Sequence, residues 1–87
     1  MRRIEEEVEI RGRLGLHARP AAKMAKVLNG FKARVWIGRG DKLVDARSIL
    51  DVLTLGASAG TRLRIVAEGE EAEEALARIK RLLEACA

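Results

Sequence analysis

The chain has 87 residues, 48% of them hydrophobic and 34% charged, which excludes a disordered segment, a collagen-like repeat and an enzyme with a large buried pocket. No apolar run approaches the roughly 20 residues that span a bilayer, and a single histidine and a single cysteine, Cys86, are too few for a zinc site or an internal disulfide. The net charge of +4 is uneven: residues 10 to 40 hold eight basic side chains and no acid, whereas Ser48 onward holds five basic against seven acidic, so one end should attract anions.

Along the chain, Glu7-Val8-Glu9-Ile10-Arg11 alternates with period two and predicts a half-buried strand. Gly12 to His17 is a loop with two glycines. A helix follows, with Ala21, Met24, Ala25 and Leu28 spaced to form one buried face. Pro20 suits its first turn, and Asn29-Gly30 reads as its stop, with glycine free to take a left-handed cap. Ala33 to Ile37 alternates again, Gly38 to Asp41 is a turn, and Lys42 to Asp45 is a short returning strand. Ser48-Ile49-Leu50-Asp51 has the form of a capping box that opens a short helix to about Leu55. Leu63, Ile65 and Ala67 alternate with Arg62, Arg64 and Val66 in a fourth strand. The last helix places Ala72, Leu76, Ile79 and Leu83 on one face, with Glu70, Glu71, Glu73 and Glu74 early and Lys80 and Arg81 late, as the helix dipole favours.

Strands with one apolar face need a single layer of helices over them. The order β-α-β-β-α-β-α therefore predicts an α+β, two-layer open-faced sandwich: a four-stranded antiparallel sheet with three helices on one face, in one domain spanning residues 1–87. Trp36, alternating away from Val35 and Ile37, is expected on the open face with Arg34 as a cross-strand packing residue, and Cys86 is expected to have no role. The acidic start, Glu5-Glu6-Glu7, lacks the apolar core of an export signal, which with the lone cysteine points to the cytoplasm.

The chemistry concentrates in Gly15-Leu16-His17-Ala18-Arg19-Pro20-Ala21. Free N–H groups at a helix start, here those of Ala18 and Arg19, make an anion site. An imidazole nitrogen is a nucleophile, which makes His17 the candidate reacting group. Arg19 can hold a phosphoryl group by charge-assisted hydrogen bonds, and because residues 17 to 19 are expected to precede the regular helix, both side chains can converge on one point. Taken on these residues alone, a histidine in a helix-entry loop beside a solvated arginine is the simpler reading.

Gly15-Leu16-His17-Ala18-Arg19-Pro20-Ala21-Ala22 resembles the active-site signature of HPr, the histidine-containing phosphocarrier of the bacterial sugar phosphotransferase system. Arg47-Ser48-Ile49-Leu50, Leu55-Gly56, Gly60 and Ala67-Glu68-Gly69 fall where that family has its second signature and final strand, so the resemblance covers about Val8 to Leu83. It implies that His17 accepts a phosphoryl group from phospho-Enzyme I through the ring nitrogen nearer the backbone. His17 then passes it to a histidine of sugar-specific EIIA components, with Arg19 stabilising the group in transfer. The protein would be a carrier rather than an enzyme, would need no cofactor or metal, and would act as a monomer.

The resemblance also implies a regulatory phosphorylation site at Ser48, used in many relatives by an HPr kinase/phosphorylase, and through it a transcriptional regulator as an alternative partner. Ser48 is in any case expected as a helix N-cap. The docking face is expected to comprise Ala18, Ala22, Ile49, Leu50 and Leu53, rimmed by Lys23, Lys26 and Arg47. Leu14 and Asp51 depart from the family's usual residues. Nucleic acid is not an expected partner, since Phe31 and Trp36 are the only aromatics available for stacking.

Overall fold

The computed structural model describes residues 2–85, so Met1, Cys86 and Ala87 lie outside it. The elements are β1 (Arg3–Glu9), α1 (Ala18–Leu28), β2 (Arg34–Arg39), β3 (Lys42–Asp45), α2 (Ile49–Leu53), β4 (Arg62–Glu68) and α3 (Ala72–Ala85). The sheet order is β1-β4-β2-β3 with every pairing antiparallel. α1, α2 and α3 cover one face, and Ile10, Met24, Leu28, Ile37, Leu63, Ile65, Leu76, Ile79 and Leu83 are fully buried between the layers. This is the expected open-faced α+β sandwich.

Several boundaries differ from the sequence expectation. β1 starts at Arg3 rather than Glu7. Its acidic run, which reads as solvated in isolation, is neutralised by neighbours: on the open face Arg62 pairs with Glu7 and Arg64 with Glu5, and beside them Arg3 of β1 pairs with Glu68. On the helix side, Lys80 donates to Glu6 at 3.0 Å, and this hydrogen bond together with the carboxylate's charge holds the Lys80 pKa above its ordinary value. β2 runs on to Arg39, so the turn shrinks to Gly40-Asp41, with Gly40 at φ +60° as a two-residue hairpin favours. α3 starts at Ala72, and Glu71, expected inside the helix, instead accepts the Lys32 backbone N–H at 2.6 Å.

Trp36 lies on the open face, as expected. It sits opposite Val66, and the Arg3 guanidinium stacks 5.6 Å from the ring centroid. That cover buries Val66, which the alternation grouped with the outward arginines.

The end of α1 is built differently from the expected left-handed glycine cap. Asn29 is right-handed and Gly30 has no positive φ. The last turn tightens instead: Asn29, Gly30 and Phe31 N–H donate to Lys26, Val27 and Leu28 carbonyls. The half-buried Arg47 completes the cap, donating to the Leu28 carbonyl at 2.7 Å and the Phe31 carbonyl at 3.5 Å. Charged hydrogen bonds of this kind contribute more than neutral ones. Arg47→Ala is accordingly expected to destabilise the fold by about 2 kcal/mol, read as a lower denaturation midpoint with an unchanged slope.

Candidate functional site at the mouth of the first helix

The segment carrying His17 is pinned from below. Gly15 N–H donates to the Gly12 carbonyl at 3.0 Å, and the buried Leu16 donates its N–H to the Ala57 carbonyl at 2.8 Å. Gly15 has φ +67°, and a Cβ there would lie 2.5 Å from the Ala57 oxygen and 2.9 Å from Ser58 Cα. Only glycine lets the loop before α1 press against the backbone before β4.

His17 is the N-cap of α1, with extended backbone at φ −105° and ψ −173°. Its side chain makes no capping hydrogen bond, and the ring is half-buried, so the imidazole is held in place yet accessible. Ala18 and Arg19 form the start of the first turn, Pro20 has no N–H, and the Ala21 N–H donates to the His17 carbonyl at 3.2 Å. Among the described residues, the Ala18 and Arg19 N–H groups therefore have no acceptor within the chain, and the positive end of the helix dipole adds to their pull on an anion.

Arg19 is placed differently from the sequence reading: it is the second helical residue and not part of a preceding loop. Its side chain and that of His17 both line one open groove, together with Leu14, Lys23 and Lys26. Such a site presents a nucleophilic nitrogen, two backbone donors and a guanidinium to one small anion.

The remaining predicted residues divide. Ala18, Ala22, Lys23 and Lys26 are exposed on α1, which packs against α2. On α2, Leu50 is 77% exposed and Ile49 37%, while Leu53 is half-buried and packs against the core. Arg47, expected at the rim, is committed to the carbonyls at the end of α1. The loop preceding α1 adds an apolar surface residue beside the histidine, Leu14, at 71% exposure.

Ser48 caps α2 by accepting the Asp51 N–H at 3.4 Å. The return half of the expected capping box does not form, because the Ser48 N–H donates to the Asp45 carbonyl instead. The contact is long, so Ser48→Ala is expected to cost only about 0.5–1 kcal/mol, measured by chemical denaturation, while Asp51→Ala leaves this cap in place.

The chain matches the family model described as the PTS HPr component phosphorylation site over residues 4–85. It is similar to the phosphocarrier protein HPr of Haloferax volcanii, 46% identical over 71 residues, covering 79% of this chain and 80% of that protein. It is also similar to the HPr-like protein Crh of Bacillus subtilis, 37% identical over 76 residues, covering 87% and 89%. Among solved structures, the crystal structure of phosphocarrier protein HPr from Bacillus anthracis superposes with a TM-score of 0.89 at 32% identity, covering 95% of this chain and 99% of that one. The signature around His17, the sheet order and these likenesses lead to one assignment: the chain belongs to the HPr phosphocarrier family.

Proposed function

We propose that this protein carries a phosphoryl group on His17, taking it from phospho-Enzyme I and delivering it to a histidine of sugar-specific EIIA components. The observation that carries the reading is the half-buried His17 ring, free of any capping bond, at a helix mouth whose Ala18 and Arg19 N–H groups have no acceptor among the described residues. Transfer forms an N–P bond at the ring nitrogen nearer the backbone as the donor's N–P bond breaks. The bond made and the bond lost are alike, so the exchange is close to balanced and runs in both directions, as a carrier requires. Catalysis is then positioning and charge stabilisation: Arg19 and the two amides hold the oxygens, and the closing partner excludes water.

The partner face fits the same reading. Ala18, Ala22, Ile49 and Leu50 offer exposed apolar contacts, and Lys23 and Lys26 supply positive charge for an acidic partner surface. Among the described residues no helix is long and apolar enough to cross a membrane, and the proposed setting is the cytoplasm, where the protein acts as a monomer.

The likeness to Crh supports a second reading, in which phosphorylation of Ser48 by an HPr kinase/phosphorylase and binding of a transcriptional regulator dominate. Phosphate at Ser48 sits at a helix start, where the dipole tolerates it, but adds negative charge beside Ile49 and Leu50. Mass spectrometry after incubation with phosphoenolpyruvate and Enzyme I, and separately with ATP and HPr kinase, distinguishes the two. The carrier reading expects acid-labile phosphate on His17 that is passed to EIIA. Acid-stable phosphate on Ser48 with none on His17 would favour the regulatory reading.

A further inference from the structure

The groove that holds His17 continues away from α2, along the seam between α1 and α3. Arg11 and Arg13 line it from the segment before α1, Lys23 and Lys26 from α1, and Arg78 and Arg81 from α3. Each helix contributes two cations three residues apart, the spacing that places them on one side. Arg19 joins them next to His17, and among the described residues Glu84 is the only carboxylate in the lining.

Among the described residues these cations form no ion pair. The ion pairs among the described residues lie elsewhere: Arg3, Arg62 and Arg64 are paired on the open sheet face, and Arg2 and Lys80 pair with Glu73 and Glu6. The groove is also not polar throughout. Leu14, 71% exposed, and the half-buried Val27 and Leu82 line it between the charged rims. An apolar strip flanked by like charges on a seam between two helices has the form of a helix-binding groove. No aromatic side chain lines it, as a stacking surface for single-stranded nucleic acid would require.

We propose that the α1–α3 groove is a second docking surface, whose occupant is an acidic amphipathic helix of a partner protein. Its apolar ridge lies on Leu14, Val27 and Leu82, and its carboxylates meet Arg11, Arg13, Arg78 and Arg81. This surface is distinct from the Ile49 and Leu50 face. Because His17 and Arg19 line one end of the groove, a helix seated there covers the histidine, so occupancy and phosphoryl uptake compete. That last consequence rests on the phosphocarrier reading; the docking itself does not.

The test uses the unphosphorylated full chain and a synthetic helical peptide of about four turns, leucine along one stripe and glutamate elsewhere. The same residues scrambled to destroy the stripe, and a single-stranded oligonucleotide of equal charge, are the comparisons. Backbone amide shifts should move at Val27, Arg78, Arg81 and Leu82, and the Arg78→Glu/Arg81→Glu double variant should bind the peptide at least tenfold more weakly. Both positions are exposed on α3, so the variant's unchanged thermal midpoint verifies its fold. Equal binding of the scrambled peptide, tighter binding of the oligonucleotide, shifts confined to Ile49 and Leu50, or an unaffected double variant would each overturn the proposal.

Discussion

Replacing His17 with alanine should reduce phosphoryl uptake from phosphoenolpyruvate and Enzyme I to background while leaving the fold intact. The two halves of this expectation have separate physical grounds. The imidazole is the one side chain at the helix mouth that can form a bond to phosphorus and release it again, so no neighbour substitutes for it. The ring makes no capping hydrogen bond and is only half-buried, so its removal should change stability by no more than about 0.5–1 kcal/mol. Uptake followed with labelled phosphoenolpyruvate, alongside a thermal melt, checks both. Loss of uptake accompanied by unfolding would show His17 to be structural, and retained uptake would move the phosphoryl site elsewhere.

The largest effect on stability is expected at Gly15. An alanine there must adopt φ near +67° and place its Cβ 2.5 Å from the Ala57 carbonyl oxygen and 2.9 Å from Ser58 Cα. Both are backbone atoms, so no side-chain rotation relieves the clash, and the loop must separate from the segment before β4. The Leu16-to-Ala57 hydrogen bond goes with it. We expect Gly15→Ala to cost about 3 kcal/mol or more, lowering the melting temperature by more than about 10 °C, with phosphoryl uptake falling as the His17 segment loosens. Gly40 supplies the internal comparison: its φ is +60°, but a Cβ there meets nothing within 4 Å. Gly40→Ala carries the conformational cost alone, about 1 kcal/mol. Melts of the two variants should therefore differ clearly, and equal melting temperatures would show that the contact with Ala57 is not limiting.

Much of this architecture was legible because the apolar residues follow simple periods. Met24 and Leu28 in α1, Leu63 and Ile65 in β4, and Leu76, Ile79 and Leu83 in α3 lie where their spacing puts them, and the element order then leaves few ways to cover one sheet face. What periodicity misses is charge matched across space. β1 hides in a run of glutamates because the cations that neutralise it come from Arg62, Arg64 and Lys80, more than fifty residues away. The cap of α1 was read into Asn29-Gly30, whereas Arg47, reaching back from beyond β3, supplies it. Ser48 was legible as a cap, but the return bond of the capping box was not, because the competing acceptor is the Asp45 carbonyl.

At the site, the helix start that presents the Ala18 and Arg19 amides was legible from one short motif, since Pro20 in the first turn marks it. The split of the docking residues was not. Ile49 and Leu50 are consecutive, so at least one has to face outward, but only the placement of a five-residue helix on the surface shows that both do. The cationic seam between α1 and α3 needs the packing of two helices distant in sequence, which spacing within either helix does not reveal.

The central claim is that a phosphoryl group on His17 is held by the two free amides at the mouth of α1. Amide proton and nitrogen shifts of Ala18 and Arg19, recorded before and after phosphorylation by phosphoenolpyruvate and Enzyme I, test it most directly. Hydrogen bonding to the phosphate oxygens should move both amide protons downfield, with smaller changes at Ser48. A phosphorylated His17 that leaves both amides unmoved, or phosphate that settles on another residue, would contradict the account.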